Sequence, residues 1–195
     1  MSAIRELALA KATGGGGGGE YEEMFAKVID RTVEDLVIPD GVKKVASYAF
    51  SDCRKVKSVV IPDSVKEFED NSFSMLGANN GGVKFPVVAN GVETIGGIAS
   101  GVNVFGGATY VSKIVLPKAK TIRAGAFSGC TNTEYIYIGA ACTSIGSGAF
   151  GGVPVTCKVE VGFAEGAVSG FPSSGGWAGN PAGLDITYNV AEPSE

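Results

Sequence analysis

Residues 36–53 read LVIPDGVKKVASYAFSDC, and residues 59–76 read VVIPDSVKEFEDNSFSML. The two stretches align position by position, and the pairs Ile38/Ile61 and Phe50/Phe73 both give an offset of 23 residues. A fixed period of this length is typical of proteins whose units stack side by side, because one unit cannot bury its apolar face alone. The period therefore predicts a solenoid.

Further copies of the motif follow along the chain. Residues 114–130 and 136–150 repeat it, and a sixth copy begins at residue 159. The third copy, at 87–96, is degraded and lacks the Ala-Phe pair, and the fourth is one residue short before its second apolar position. The sequence therefore contains roughly six repeats in a single elongated domain.

Each repeat opens with an apolar triplet whose outer residues face the core while the middle residue faces away. A proline and an Asp-Gly or Asp-Ser turn then end the strand, because proline has no amide donor. The recurring phenylalanine returns to the interior and predicts an aromatic stack. We expect a right-handed stack with one sheet of parallel strands, about 4.8 Å apart, near residues 36–38, 59–61, 87–88, 114–116, 136–138 and 159–161.

The consensus hydrophobic-x-hydrophobic-Pro-x-x-hydrophobic-x-x-hydrophobic-(Gly)-x-x-Ala-Phe-x-x-Cys resembles the BspA-type leucine-rich repeat of bacterial surface and phage-associated proteins. The resemblance covers about residues 33–170. It is specific for the fold. For function it implies binding and adhesion, with many unrelated partners across the family.

The ends of the chain predict other elements. Residues 20–33 have an amphipathic pattern that predicts a helix capping the first repeat. Alternation from Leu184 to Val190 predicts a half-buried closing strand, so we assign residues 34–190 to the solenoid. Glycine-rich insertions at 77–82 and 99–108 interrupt the third repeat and are expected to project laterally.

Residues 1–13 carry a narrow apolar face formed by Ile4, Leu7 and Ala8. A helix of this length is unstable alone, and the glycines at 14–19 form a flexible linker. We predict that this segment anchors the protein to a protein partner; a disordered tail is the alternative. Its apolar run is too short for a secretory signal, so export by that route is not expected.

Deleting residues 1–19 tests the anchor prediction. The deletion should leave the melting temperature of the solenoid nearly unchanged, because the predicted cap begins at Glu20, and it should abolish incorporation into the particle or complex. A tail would change neither property. A collapse in stability would show that the segment packs on the repeats.

Composition excludes several classes of function. The 195 residues include no histidine, which removes the commonest general base and zinc ligand. The net charge of -4 and the absence of a basic cluster argue against nucleic acid, and no apolar run is long enough to cross a membrane. We expect no enzyme, no cofactor and no metal site.

Two groups of reactive side chains still need an interpretation. Cys53 and Cys130 occupy equivalent corners of the repeat and are expected to be buried free thiols. Glu67, Glu69 and Asp70 form the densest acidic cluster. We place these three on the turn after the second strand, as a solvated edge rather than a calcium site.

Aromatic residues are the best candidates for ligand contacts. Tyr135 and Tyr137 fall on the outward face of a predicted strand, where exposed tyrosines anchor protein or sugar ligands, or simply complete the sheet face. Trp177 lies in a loop, where it either stacks on a saccharide or plugs the C-terminal end of the stack.

The narrowest functional hypothesis is a phage virion accessory, a tail or head appendage that attaches by its N-terminus. Its solenoid would then face a protein or glycan of the host surface. A bacterial cell-surface adhesin and a cytoplasmic interaction scaffold are the alternatives, and homo-oligomers remain open.

Overall fold

The computed structural model describes residues 31–97, 103–169, 171–172 and 184–193. Within them the chain winds as a parallel β-solenoid. The longer strands lie along one face, which we call the front sheet. These strands are β1 (Asp35–Val37), β3 (Ser58–Val60), β5 (Phe85–Val88), β7 (Val111–Leu116), β9 (Tyr135–Ile138), β11 (Lys158–Val161) and β12 (Asp185–Thr187). The six predicted strand positions are confirmed, and every ladder pair is parallel.

A second, narrower sheet was not predicted from the sequence, and we call it the back sheet. Its strands are β2 (Lys44–Val45), β4 (Glu67–Phe68), β6 (Thr94–Ile95), β8 (Thr121–Ile122) and β10 (Ser144–Ile145). Each strand ends on the second apolar residue of its repeat, which is buried. Strand β8 pairs in register with β6 and β10 although its repeat is one residue short. The turn after β7 therefore absorbs the missing residue.

The front sheet is interrupted between β3 and β5. Strands β1 and β3 form a two-stranded sheet, and β5 begins a separate five-stranded one. Phe85 and Ala89 donate backbone hydrogen bonds to Tyr110 and Val115 in the next coil. The backbone N–H groups of successive strand residues point alternately to the two neighbouring strands, so the backbone nitrogen of Pro86 faces β3. Proline has no N–H to donate to that strand. The proline therefore explains the break.

A phenylalanine stack fills the interior, as predicted. Phe50, Phe73, Phe105, Phe127 and Phe150 follow one another with ring centroids 5.4, 4.7, 5.2 and 5.5 Å apart. The prediction that the third repeat lacks this aromatic is wrong, because Phe105 supplies it. The insertion in that repeat merely lengthens the spacing from Phe73 and hides the equivalence.

The inserted segments do not simply project outward. Val104, Phe105 and Ala108 are buried, so this part of the predicted 99–108 projection belongs to the core. In the 77–82 insertion, Asn80 is buried. Its Nδ2 donates to the carbonyls of Val56 and Val83 at 2.8 and 2.7 Å, and its Oδ1 accepts from Gly82 and Val83. This amide ties the turn to the second coil.

The two ends differ in how they match the sequence predictions. The described residues contain no helix, and the predicted cap at 20–33 lies outside them apart from residues 31–33. Those three are not helical, and Arg31 has φ of +56°, so the predicted helix end at Val33 is wrong. The closing strand is confirmed: Leu184, Ile186 and Tyr188 are half-buried on the core.

Candidate binding surface

The outward face of the front sheet carries a row of apolar side chains. Val37 pairs with Val60, and Val88, Val115 and Tyr137 are aligned in the ladder of β5, β7 and β9. Val37, Val60 and Val88 are 46%, 53% and 36% exposed, whereas Val115 and Tyr137 are 7% and 2% exposed. We call the three exposed residues the valine row. The same stripe is therefore open at its N-terminal end and covered at its C-terminal end.

The chain's own C-terminal residues cover Tyr137. Asn189, with φ of +58°, reverses the chain after β12, and the Val190 N–H donates to the Val161 carbonyl at 3.0 Å. The Tyr137 hydroxyl donates to the Val190 carbonyl at 3.5 Å. Burial, with a contribution from the Glu192 carboxylate, raises the pKa of Tyr137. The prediction that Tyr137 is an exposed ligand-binding residue is therefore wrong.

Tyr135 is half-buried in a polar cluster on the same face. Its hydroxyl donates to Glu160 Oε2 at 2.7 Å, and Lys158 Nζ lies 2.6 Å from Glu160 Oε1. Lys113 Nζ lies 5.4 Å from the Tyr135 ring centroid. Burial and the hydrogen bond to Glu160 raise the pKa of Tyr135. This tyrosine contributes to the sheet face, which is the alternative that the sequence left open.

The remaining predicted site residues lie outside the described residues. They are Trp177 in the C-terminal loop and the anchor residues Ile4, Leu7 and Ala8. Their roles stay predictions. The sequence places Val37 and Val60 on the outward strand face, but it favours the tyrosines as ligand contacts and does not identify Val88 as an outward residue.

A profile of the BspA type leucine-rich repeat region matches residues 22–152 in six copies. The chain belongs to this family. In the part that the structure describes, no helix is long and apolar enough to cross a membrane. No protein of curated function matches the chain.

Solved structures of three bacterial leucine-rich repeat proteins are similar to this BspA-type chain. A leucine-rich repeat protein of Eubacterium ventriosum is 18% identical over 84% of this chain and 45% of that one, with a TM-score of 0.54. A leucine-rich cell surface protein of Faecalibacterium prausnitzii is 20% identical over 70% of this chain and 43% of that one, with a TM-score of 0.39. A leucine-rich repeat protein of Bacteroides ovatus is 21% identical over 68% of this chain and 40% of that one, with a TM-score of 0.40. The first shares the fold, and the chain spans less than half the length of each.

The acidic cluster of the second BspA-type repeat links neighbouring coils. Glu67 lies on β4 rather than on a turn, which corrects the sequence prediction. Lys44 Nζ lies 2.6 Å from Glu69 Oε1 and 3.5 Å from Glu67, and the hydrogen bond from Lys44 lowers the pKa of Glu69. The Gly97 N–H donates to Asp70 Oδ1 at 2.7 Å. Among the described residues, no group of three acidic, cysteine or histidine side chains could hold a metal ion.

The four cysteines of the BspA-type repeats are buried free thiols, which confirms the prediction for Cys53 and Cys130. Burial raises the pKa of Cys53 and Cys142 to about 11 and that of Cys157 to about 12, and it raises the pKa of Cys130 as well. Because the thiolate is the nucleophilic form, these thiols are unreactive near neutral pH.

The raised thiol pKa values predict that the protein loses stability in alkali. Thiols of an unfolded chain ionise near pH 8.5, whereas those of the folded chain stay protonated to about pH 11 or 12. Their contribution is complete below about pH 8.5 and is lost as the pH rises through the folded pKa values. We expect urea midpoints to fall between pH 8.5 and 11. Cys130→Ala should show a shallower fall, and an identical slope would contradict this assignment.

Proposed function

We propose that this chain is a non-catalytic, protein-binding repeat module that contacts its partner through the outward face of the front sheet. The observation that carries the proposal is the valine row. Three aliphatic side chains remain 36% to 53% exposed there, at outward positions equivalent to that of Tyr137, which the chain covers with its own C-terminal segment. Apolar side chains clustered on a soluble protein surface mark interaction sites.

The chemistry of the described residues supports binding rather than catalysis. The sequence has no histidine, and the thiols are buried. One shallow depression of the described surface is lined by Arg31, Asp52, Arg54, Lys55 and Asn79. Its carboxylate is occupied by ion pairs with Arg54 at 2.8 Å and Arg31 at 3.5 Å. The BspA-type family is likewise a repeat scaffold.

The narrower hypotheses about location both use a binding face of this kind. A virion accessory would attach through residues 1–13 and present the front sheet to its host, and a cell-surface adhesin would present the same sheet from the cell. We retain the virion accessory as our proposal and the adhesin as its alternative. The deletion of residues 1–19 separates them, because only the former requires that segment for incorporation.

Site-specific photo-crosslinking tests the proposed function. A photoreactive residue at position 60 sits in the valine row, and one at position 155 replaces a valine of similar exposure, 53% against 45%, outside it. In extracts of the native particle or cell, we expect a discrete crosslinked polypeptide from position 60 and none from position 155. Equal crosslinking at both positions, or none at position 60, would contradict the proposal.

A further inference from the structure

We propose that the valine row docks an extended aliphatic segment of a protein partner, with a Lys or Arg at the end that lies over β1. This inference rests on the proposed function and names the chemistry of the partner. It follows from four features of the front sheet: the continuity of the apolar stripe, its size, the carboxylate beside it, and the lack of an exposed aromatic on this face among the described residues.

Continuity supplies the first argument. Val37 and Val60 pair in one ladder, and Val88, Val115 and Tyr137 are aligned in the next, with β3 and β5 in contact across the break. The covered end of this stripe already accepts a non-repeat segment. Val190 bonds to Val161 on β11 and accepts from Tyr137 on β9, so this segment spans neighbouring strands. Among the described residues, none covers the open end of the stripe, where Val37, Val60 and Val88 stay 36% to 53% exposed. That end is therefore available to another chain.

The size of the valine row favours a peptide segment over a second copy of this chain. Three half-exposed valine side chains offer at most a few hundred Å² of apolar surface, the scale of a functional patch on a monomer. A stable interface between two folded subunits buries roughly 800 Å² on each partner. The row is therefore too small to hold a dimer and large enough for a few aliphatic side chains of an extended segment.

Charge sets the orientation of the bound segment. Asp35 lies two residues before Val37, so both side chains are on the outward face of β1. It is exposed and accepts a hydrogen bond from the Ser58 hydroxyl at 2.5 Å. Nearby Glu34 is already paired with Lys57 at 2.8 Å. Asp35 thus presents negative charge at the β1 end of the row and favours a basic side chain there.

The aromatic residues of this face argue against a saccharide ligand. Sugars are held largely by stacking on exposed aromatic rings, and the two tyrosines of the front sheet do not offer one. Tyr137 is buried, and Tyr135 is half-buried with its hydroxyl bonded to Glu160. Aliphatic contact with a polypeptide is the chemistry that the exposed residues support.

Selection from a random peptide display library on the immobilised full chain tests the inference, with counter-selection on the bare support. We expect enriched sequences to share alternating Val, Ile or Leu residues and a Lys or Arg at one end. For a synthetic peptide of that consensus, Val60→Asp should weaken binding at least tenfold, and Asp35→Asn should weaken it a few-fold at low salt. Val155→Asp, an equally exposed valine outside the row, should leave the affinity unchanged.

Two controls separate this inference from the proposed function. Val60→Thr keeps the shape and strand propensity of valine, so an unchanged melting temperature with weaker binding assigns the loss to the surface. Enriched peptides that bind Val60→Asp as well as they bind the native chain would overturn the docking site but leave a protein-binding module. Acidic or aromatic consensus sequences, or glycan-array binding that Val60→Asp abolishes, would overturn the stated partner. Failure of both the selection and the crosslinking would overturn the proposed function as well.

Discussion

Phe105→Ala is expected to lower the free energy of unfolding by about 3–5 kcal/mol, the range for truncating a buried phenylalanine. The ring is fully buried and stacks between Phe73 and Phe127, with centroids 4.7 and 5.2 Å away. It also meets the edge of Phe68 at 5.8 Å. Urea denaturation followed by circular dichroism measures the loss.

Phe105 occupies a point where the solenoid has fewer other connections. Pro86 interrupts the front sheet between β3 and β5, so the second and third coils are joined by the back sheet, by side-chain packing, and by backbone hydrogen bonds from Phe73 to Val104 and from Met75 to Gly106. Because coils of a solenoid contact only their neighbours, losing this stack should uncouple the N-terminal coils from the rest. We expect the transition of the variant to broaden.

A matched pair of variants calibrates the Phe105 result. Val155→Ala removes two methyl groups from a side chain that is 45% exposed, and it should change stability by less than about 0.5 kcal/mol. Phe105→Leu retains part of the apolar volume and should lie between the native chain and the alanine variant. A loss below about 1 kcal/mol for Phe105→Ala would show that the stack is not what holds these coils together.

The period of the sequence was sufficient to predict the strands, their parallel pairing and the aromatic stack. It missed Phe105 because the insertion before it changes the spacing. A local signal was present, since Phe105-Gly-Gly-Ala108 matches Phe127-Ser-Gly-Cys130 and Phe150-Gly-Gly-Val153. Matching that corner motif independently of the period would have found the residue.

Other features could not be predicted from local pattern. The back-sheet strands are two residues long, too short for alternation to show. Tyr137 is buried by a contact with Val190, 53 residues away, which forms only because Asn189 reverses the chain. The valine row is recognisable as a surface only once the structure shows that the C-terminal segment covers one end of the apolar stripe and leaves the other end exposed. Burial on an outward sheet face depends on what folds back over it, and the repeat motif does not encode that.

Ending the chain at Tyr188 should expose Tyr137 and destabilise the protein. The truncation keeps β12 and the packing of Tyr188 but removes the Val190 carbonyl that accepts from Tyr137. Re-exposing a large side chain costs about 1.5–3 kcal/mol. The pKa of Tyr137, which burial raises in the full chain, should fall toward its ordinary value. Phenolate absorbance at 295 nm, with Tyr137→Phe to assign the signal, measures the change.

The same truncation should add the uncovered Tyr137 to the outward stripe, which Val115 links to Val88 of the valine row, and thereby strengthen peptide binding. A peptide selected on the native row gains contact with the uncovered residues only if it lies along the stripe, so longer aliphatic peptides should gain more than short ones. Isothermal titration with a short and a long peptide of one consensus tests this, and Tyr137→Asp in the truncated chain should remove the gain. Equal affinities for the full and truncated chains, together with an unchanged phenolate titration, would show that the C-terminal segment does not compete for this face.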